Sequence, residues 1–246
     1  MSRPIFRIDE ILEYCKGKSV LHFGYVQHSV VYEEYMQRDE WAHAWMARVA
    51  TRVVGVDYLP QDIEDIQKKY GYEGYFGDAM NLETCKLNEK FDVVVCGELI
   101  EHLTNPGLML EGVKRFMKDD GILIVTTPNV WAKTYFRQMK KFDNESWVNP
   151  EHVLWYSHFT LTNTMERHGY DKVSYDYYFD FTTRKSYFNV PKGLMGKART
   201  IVRTIRMNRS KKEEQLGLFF VARQSQKTPD LTPAERVKQF YLEGNQ

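Results

Sequence analysis

The run Phe91-Asp92-Val93-Val94-Val95-Cys96-Gly97 constrains this chain more than any other feature. Its apolar residues are consecutive, which fits a central parallel strand covered on both faces, and the run stops at glycine. Glu98, Glu101 and His102 follow at once. Their spacing of i, i+3, i+4 sets both carboxylates and the imidazole on one side of a helical turn. Ligands of open α/β sheets bind outside the carboxyl ends of the strands, so these three polar groups are expected to stand at a site.

The rest of the chain repeats a strand-then-helix rhythm. Short apolar runs at 19–23, 52–56, 74–76 and 122–126 end at Gly24, Asp57, Gly77-Asp78 and Thr127-Pro128-Asn129. Helical patterns cover 5–12, 32–49, 61–70 and 108–117. Strands alternating with helices imply βαβ units and a mostly parallel sheet. Residues 131–157 are aromatic and irregular, the kind of insertion that builds a substrate wall. A helix at 159–168 and strands at 172–178 and 218–223 complete the pattern, with a basic amphipathic stretch at 191–212 and a polar tail that opens a short helix at Thr232-Pro233.

Composition narrows the class. A chain of 246 residues with a formal net charge of +1 has no global attraction for nucleic acid, and none is expected as a partner. Its three cysteines, Cys15, Cys85 and Cys96, lack paired spacing, which argues against disulfides or a zinc site and for a reducing cytoplasm. The opening residues break their apolar positions with charge, unlike a signal peptide, and no run approaches a membrane span. A soluble cytoplasmic protein is expected.

The segment Phe91-Asp92-Val93-Val94-Val95-Cys96-Gly97-Glu98-Leu99-Ile100-Glu101-His102-Leu103 resembles the fourth motif of class I S-adenosylmethionine-dependent methyltransferases, especially the ubiquinone-type and glycan-associated branches. The resemblance spans about residues 18–223 and implies an α/β Rossmann-like fold. Its sheet would have seven mostly parallel strands with helices on both faces. A methyltransferase domain at 1–223 would carry cap insertions at about 130–157 and 178–215, after the fifth strand and between the sixth and seventh, leaving 224–246 as a tail. The implied activity is methyl transfer to an acceptor oxygen, on a sugar, glycan precursor or other small molecule. The first motif departs from the family. Where a strand is usually followed by Asp-x-Gly-x-Gly-x-Gly, this chain has His22-Phe23-Gly24-Tyr25-Val26-Gln27-His28, so His22 replaces the acid and Gly24 alone survives. That loop, with Trp41-Ala42-His43 downstream, is similar to a glycan-associated subgroup with Gly-Cys-Val-x-His and Trp-x-His.

The resemblance assigns Gly24, Asp57, Asp78, Ala79 and Glu98 to the cofactor. Asp57 would accept from the ribose hydroxyls, though an aspartate there also suits a helix N-cap. Asp78, or the backbone N–H beside it at Ala79, would face adenine, while aspartate after glycine is equally a turn residue. His102 is the first candidate base, aided by Glu98, with His152 across the pocket; packing against the sheet, or backbone bonding in a loop, are the plain alternatives. Glu98, Glu101 and His102 also match positions where some ubiquinone-type enzymes hold a divalent cation, Mg or Mn. A nicotinamide cofactor would need Gly-x-Gly-x-x-Gly, which is missing. The stretch 191–212 suggests contact with phosphate or an anionic membrane surface. The rival reading is an inactive scaffold on the same fold, binding an anionic partner or membrane through that basic helix.

Overall fold

The apolar runs assemble into one eight-stranded sheet, seen in a computed structural model that describes residues 5–27, 32–142, 149–180 and 211–226, with isolated positions between 183 and 205 and at 235 and 238. The strands are β1 (Ile5–Phe6), β2 (Ser19–Phe23), β3 (Arg52–Asp57), β4 (Glu73–Phe76), β5 (Phe91–Gly97), β6 (Met117–Pro128), β7 (Tyr170–Asp180) and β8 (Gly217–Gln224). Their order is β1-β7-β8-β6-β5-β2-β3-β4. Every neighbouring pair is parallel except those made by β8, which runs antiparallel between β6 and β7.

Alternate residues of the central strands feed opposite faces. Leu21, Phe23, Val54, Val56, Val94 and Cys96 pack under α5 (Pro106–Val113) and α7 (His158–Arg167). Val20, Val53, Val93 and Val95 meet α1 (Arg7–Cys15) and α3 (Ala42–Ala47) on the other face. A third cluster joins Tyr25, Val26 and Trp41 to Ile63 and Ile66 of α4 (Pro60–Tyr70). Because β3 and β4 lie on one side of β2 while β5 lies on the other, the chain reverses direction across the sheet between β2 and β5. A crevice opens outside the carboxyl ends of strands at such a switch point.

Four expectations are corrected. The sheet has eight strands rather than seven, because Ile5 and Phe6 pair with Tyr178 and Asp180 before α1 begins. A two-residue strand at an edge has no periodicity to read. The helix expected at 32–49 is two, α2 (Tyr32–Gln37) and α3, separated where Asp39 takes a left-handed φ of +54° and Trp41 turns inward to donate its indole N–H to the Tyr25 carbonyl at 2.8 Å. The insertion after β6 is not irregular throughout, since it carries α6 (Lys133–Phe142). Finally, the helix expected at 108–117 closes at Val113 into a tighter turn, Lys114–Phe116. The basic stretch 191–212, most of the second cap and the tail helix at 232–233 lie outside the described residues, isolated positions apart. Among the described residues, no helix is long and apolar enough to cross a membrane.

Candidate functional site

Gly24 and Gly97 end the two strands that flank the switch point, and both leave backbone uncovered there. Gly24 has φ +70°, a conformation that costs a side-chain-bearing residue about 1–2 kcal/mol. A Cβ on Gly97 would lie 3.5 Å from Thr126 Oγ1 and 3.7 Å from Arg7 Nη1. A small cavity of about 20 Å³ opens between them, bordered also by Arg7, His22 and Gln27. The loop after Gly24 is anchored rather than glycine-rich. Tyr25 is buried, and its side chain covers the two strand glycines Gly55 and Gly74, where added Cβ atoms would lie 2.4 Å from the ring and 2.2 Å from the hydroxyl oxygen. A tyrosine thus fills the groove that the missing glycines would have left open. His28 lies outside the described residues.

Asp57 closes β3 with only 5% of its surface exposed. Its Oδ2 accepts the Val26 N–H at 3.0 Å and its Oδ1 the Tyr58 N–H at 2.8 Å, so the carboxylate ties the first loop to the second strand end. Burial raises its pKa to about 6, against the lowering effect of those backbone bonds. The Leu59 N–H adds a third backbone bond, and since a carboxylate has about four acceptor positions, about one remains for a ligand hydroxyl. Asp78 is half-buried and its Oδ1 accepts the Met80 N–H at 2.8 Å, which is the turn role, with its second oxygen not engaged in that bond. Ala79 is half-buried against the core below the same turn.

Past β5 the three polar residues separate. Glu98 adopts φ +53°, a left-handed conformation rare outside glycine. Its Oε1 accepts from Thr126 Oγ1 and from the Tyr178 hydroxyl, each at 2.9 Å, and lies 3.6 Å from Arg7 Nη1. Glu101 and His102 instead enter the short turn Ile100–His102 and meet a strap from the first cap. The Val153 and Leu154 N–H groups donate to the Glu101 carbonyl at 2.9 and 3.1 Å, which brings a second Glu-His dipeptide, Glu151-His152, over the first. The pairs cross: Glu101 Oε1 lies 4.0 Å from His152 Nε2, and Glu151 Oε2 lies 3.9 Å from His102 Nδ1. The two imidazoles meet edge to face with centroids 4.7 Å apart. Burial and the neighbouring His102 ring lower the pKa of His152, keeping it unprotonated at neutral pH. Glu101, only 1% exposed, is pushed well above the usual carboxylate range by burial and then by the charge of Glu98.

The helical-turn reading placed Glu98 with Glu101 and His102; the structure puts His152 in that company instead. Glu101, His102 and His152 can bring one ligand atom each within 4.8 Å of one another. These are the described residues that could hold a metal ion, a different trio from Glu98, Glu101 and His102, and two imidazoles with one carboxylate are a poorer match to Mg or Mn than an all-oxygen set. The wall above is aromatic: Trp155 packs edge-on to Tyr135 of α6 at 5.1 Å, and the pKa of Tyr58 is raised by burial and then by the charges of Glu151 and Asp57.

His22, in the position of the missing acid, is buried with its Nδ1 3.3 Å from His43 Nδ1. Such a bond needs one donor and one acceptor nitrogen, so the accepting ring is neutral. Burial, and then Arg7, hold His22 at a pKa of about 3, and burial likewise lowers His43. Tyr25, Trp41 and Tyr72 surround His43 with centroids 4.8, 5.1 and 5.3 Å away. Trp41-Ala42-His43 thus builds the packing behind the first loop. Sequence reasoning missed Arg7, Tyr178 and Glu151; only Glu151 left a signal, the repetition of Glu-His at 101–102 and 151–152.

A family model described as a methyltransferase domain matches residues 8–175. The ubiquinone biosynthesis O-methyltransferase of Actinobacillus pleuropneumoniae serotype 5b is 30% identical over 99 residues, covering 37% of this chain and 42% of that protein. The mitochondrial ubiquinone biosynthesis O-methyltransferase of Bos taurus is 26% identical over 97 residues, 37% of this chain and 26% of that protein. The chain thus spans less than half the length of the curated relatives it matches. Among solved structures, a SAM-dependent methyltransferase from Archaeoglobus fulgidus superposes with a TM-score of 0.55 at 17% identity, over 89% of this chain and 91% of that one. A putative methyltransferase from Bacillus halodurans gives 0.52 at 14% identity, over 89% and 97%. These structural likenesses establish the fold.

Proposed function

This chain belongs to the S-adenosylmethionine-dependent methyltransferase domain family, and from that premise we propose that it moves a methyl group onto an acceptor oxygen. The residues at the switch point suit the cofactor. Side-chain-free backbone at Gly24 and Gly97, the buried carboxylate of Asp57 at the end of β3 and Asp78 at the end of β4 stand where a nucleoside would lie across the crevice. Bound there, S-adenosylmethionine supplies an electrophilic methyl on a sulfonium.

The observation that carries an oxygen acceptor is the crossed pair of Glu-His dipeptides beside the crevice. A hydroxyl becomes a competent nucleophile when a neutral imidazole takes its proton. In this reading His102 accepts that proton as the oxygen–carbon bond forms and the sulfur–carbon bond breaks, and the Glu151 carboxylate beside Nδ1 stabilises the imidazolium. His152 holds the opposing ring in place, with Glu101 behind it. Trp155 and Tyr135, packed edge to face, offer an aromatic surface on the acceptor side.

The likeness of the Gly24 loop and Trp41-Ala42-His43 to the glycan-associated branch supports an acceptor on a sugar, glycan precursor or other small molecule. The matched relatives are named for ubiquinone biosynthesis, so a phenol series belongs in the same screen. Contact of the 191–212 stretch with phosphate or membrane remains part of this proposal. The test is methyl transfer from labelled S-adenosylmethionine to nucleotide sugars, glycans and phenols, with His102→Ala alongside. Loss of a general base is expected to lower kcat about 10²- to 10⁴-fold while cofactor affinity stays within about twofold. An acid–base mechanism also expects turnover to survive exhaustive chelation. A wild-type rate in His102→Ala removes the assignment; folded protein that binds neither S-adenosylmethionine nor S-adenosylhomocysteine supports the inactive scaffold.

A further inference from the structure

We propose that a cavity at the amino ends of β5 and β6 is a second ligand site, one that holds a phosphate group. The crevice lies at the carboxyl ends of the same sheet. Strand β5, seven residues long, separates the two by about 20 Å at about 3.3 Å per residue. The cavity measures about 280 Å³, close to the lower bound of about 300 Å³ for small-molecule sites. It is lined by Lys86, Leu87, Asn88, Glu89, Arg115 and Phe116. The first four belong to the segment that leads into β5, and the last two to the turn Lys114–Phe116 that leads into β6.

Arg115 gives the site its chemistry. Its Nη2 donates to the Cys85 carbonyl at 2.6 Å and to the Leu87 carbonyl at 3.2 Å, which occupies both hydrogens of that nitrogen. The Phe116 ring centroid lies 4.5 Å from the guanidinium carbon. Backbone and ring thus fix the plane of the fork before a ligand arrives, so little side-chain freedom is lost on binding. Nη1 faces Glu83 at 3.8 Å, beyond hydrogen-bond length, and that carboxylate side chain is 91% exposed, so an incoming anion displaces it at little cost. Nη1 and Nε keep three of the five guanidinium donors for an oxyanion. Charge favours the same ligand. Lys86 adds a second cation, while Glu89, the one carboxylate in the lining, is bound by both terminal nitrogens of Arg52, which hold its carboxyl below the usual range. Arg115, Lys86 and the Asn88 amide are three donor groups on three residues, which suits the tetrahedral oxygens of a phosphate better than the two of a carboxylate.

The experiment is an NMR titration of the isotope-labelled full chain with inorganic phosphate, with glycerol phosphate and with uncharged glycerol, at low salt because exposed ion contacts are screened. Saturable shifts of the amide and arginine Nε–H signals are expected at Lys86, Leu87, Asn88, Glu89, Arg115 and Phe116, with none at Gly24, Asp57 or Gly97. Tighter binding of glycerol phosphate assigns a phosphate monoester, and equal binding assigns the free ion. Arg115→Met is expected to weaken both anions about 10- to 100-fold, and Lys86→Gln, at an exposed position, about 2- to 5-fold. The second variant carries the test if loss of the Cys85 and Leu87 bonds unfolds the first. Unchanged affinity in either folded variant overturns the site. So do shifts that never saturate, shifts scattered over surface lysines, or equal shifts with glycerol.

Discussion

If a ribose hydroxyl of the cofactor donates to Asp57, it favours the ionised form, and affinity must follow the ionisation of that one carboxylate. Asp57 is buried, its oxygens accept the Val26 and Tyr58 N–H groups, and burial still wins, leaving a pKa of about 6. At pH 5 about one molecule in eleven carries the anion, so binding is expected to be about tenfold weaker than at pH 7.5, or about 1.4 kcal/mol. Calorimetry in buffers of different ionisation enthalpy should count close to one proton released per S-adenosylhomocysteine bound at pH 5 and close to none at pH 7.5. Asp57→Asn should bind weakly and with a flat profile, which separates Asp57 from His102 and His152. The ligand-free fold carries the linked effect with a definite sign. A carboxyl whose pKa rises on folding contributes stability below its unfolded value, and that contribution disappears as pH climbs through the folded value. Between 3.8 and about 6, at 1.36 kcal/mol per pH unit, this group alone costs about 3 kcal/mol. Affinity that is level from pH 5 to 7.5 in the wild type, or an unchanged slope in Asp57→Asn, refutes the reasoning.

Two packing predictions follow from the same region. Gly55→Ala sets a methyl 2.4 Å from the Tyr25 ring, which is hemmed in by Trp41 and α4, so denaturant unfolding should show a loss of at least about 1–3 kcal/mol; wild-type stability would mean that the ring does not lie on that strand. Tyr178→Phe removes a hydroxyl that donates to Glu98, and hydrogen bonds to charged groups are worth about 1.5–3 kcal/mol. Urea titration of that variant should show a loss in this range, and no loss would dissolve the network that holds Glu98.

The Tyr25 packing explains how a first loop without its usual glycines coexists with an intact strand end. Glycine-rich loops keep side chains away from a ligand. Here the bulk turns the other way, behind the loop, where Gly55 and Gly74 yield the space and Trp41 bonds the Tyr25 carbonyl. Only Gly24 then needs to stay bare on the crevice side. The His22–His43 pair belongs to the same packing: a buried acid at that position would need a cation or several donors, whereas two neutral imidazoles satisfy one nitrogen of each ring mutually.

Local pattern determined most of the architecture. Seven of the strands, the parallel sheet and the strand ends at Gly24, Asp57, Asp78 and Gly97 were legible because a buried strand is a run of apolar residues and its end is a change of chemistry. The resemblance to the methyltransferase family was carried by such a strand end. What depended on residues far apart in the chain was not legible. The two-residue β1 is defined by its pairing with β7, and Glu98 left its neighbours at 101 and 102 because Arg7, Thr126 and Tyr178 converge on it from three other elements. The crossing of Glu101-His102 with Glu151-His152 spans some fifty residues, and backbone bonds from Val153 and Leu154 to the Glu101 carbonyl create it. Periodicity reports which face of an element is buried; it contains no term for which distant side chain will meet another there, and that partner choice is what tertiary packing decided.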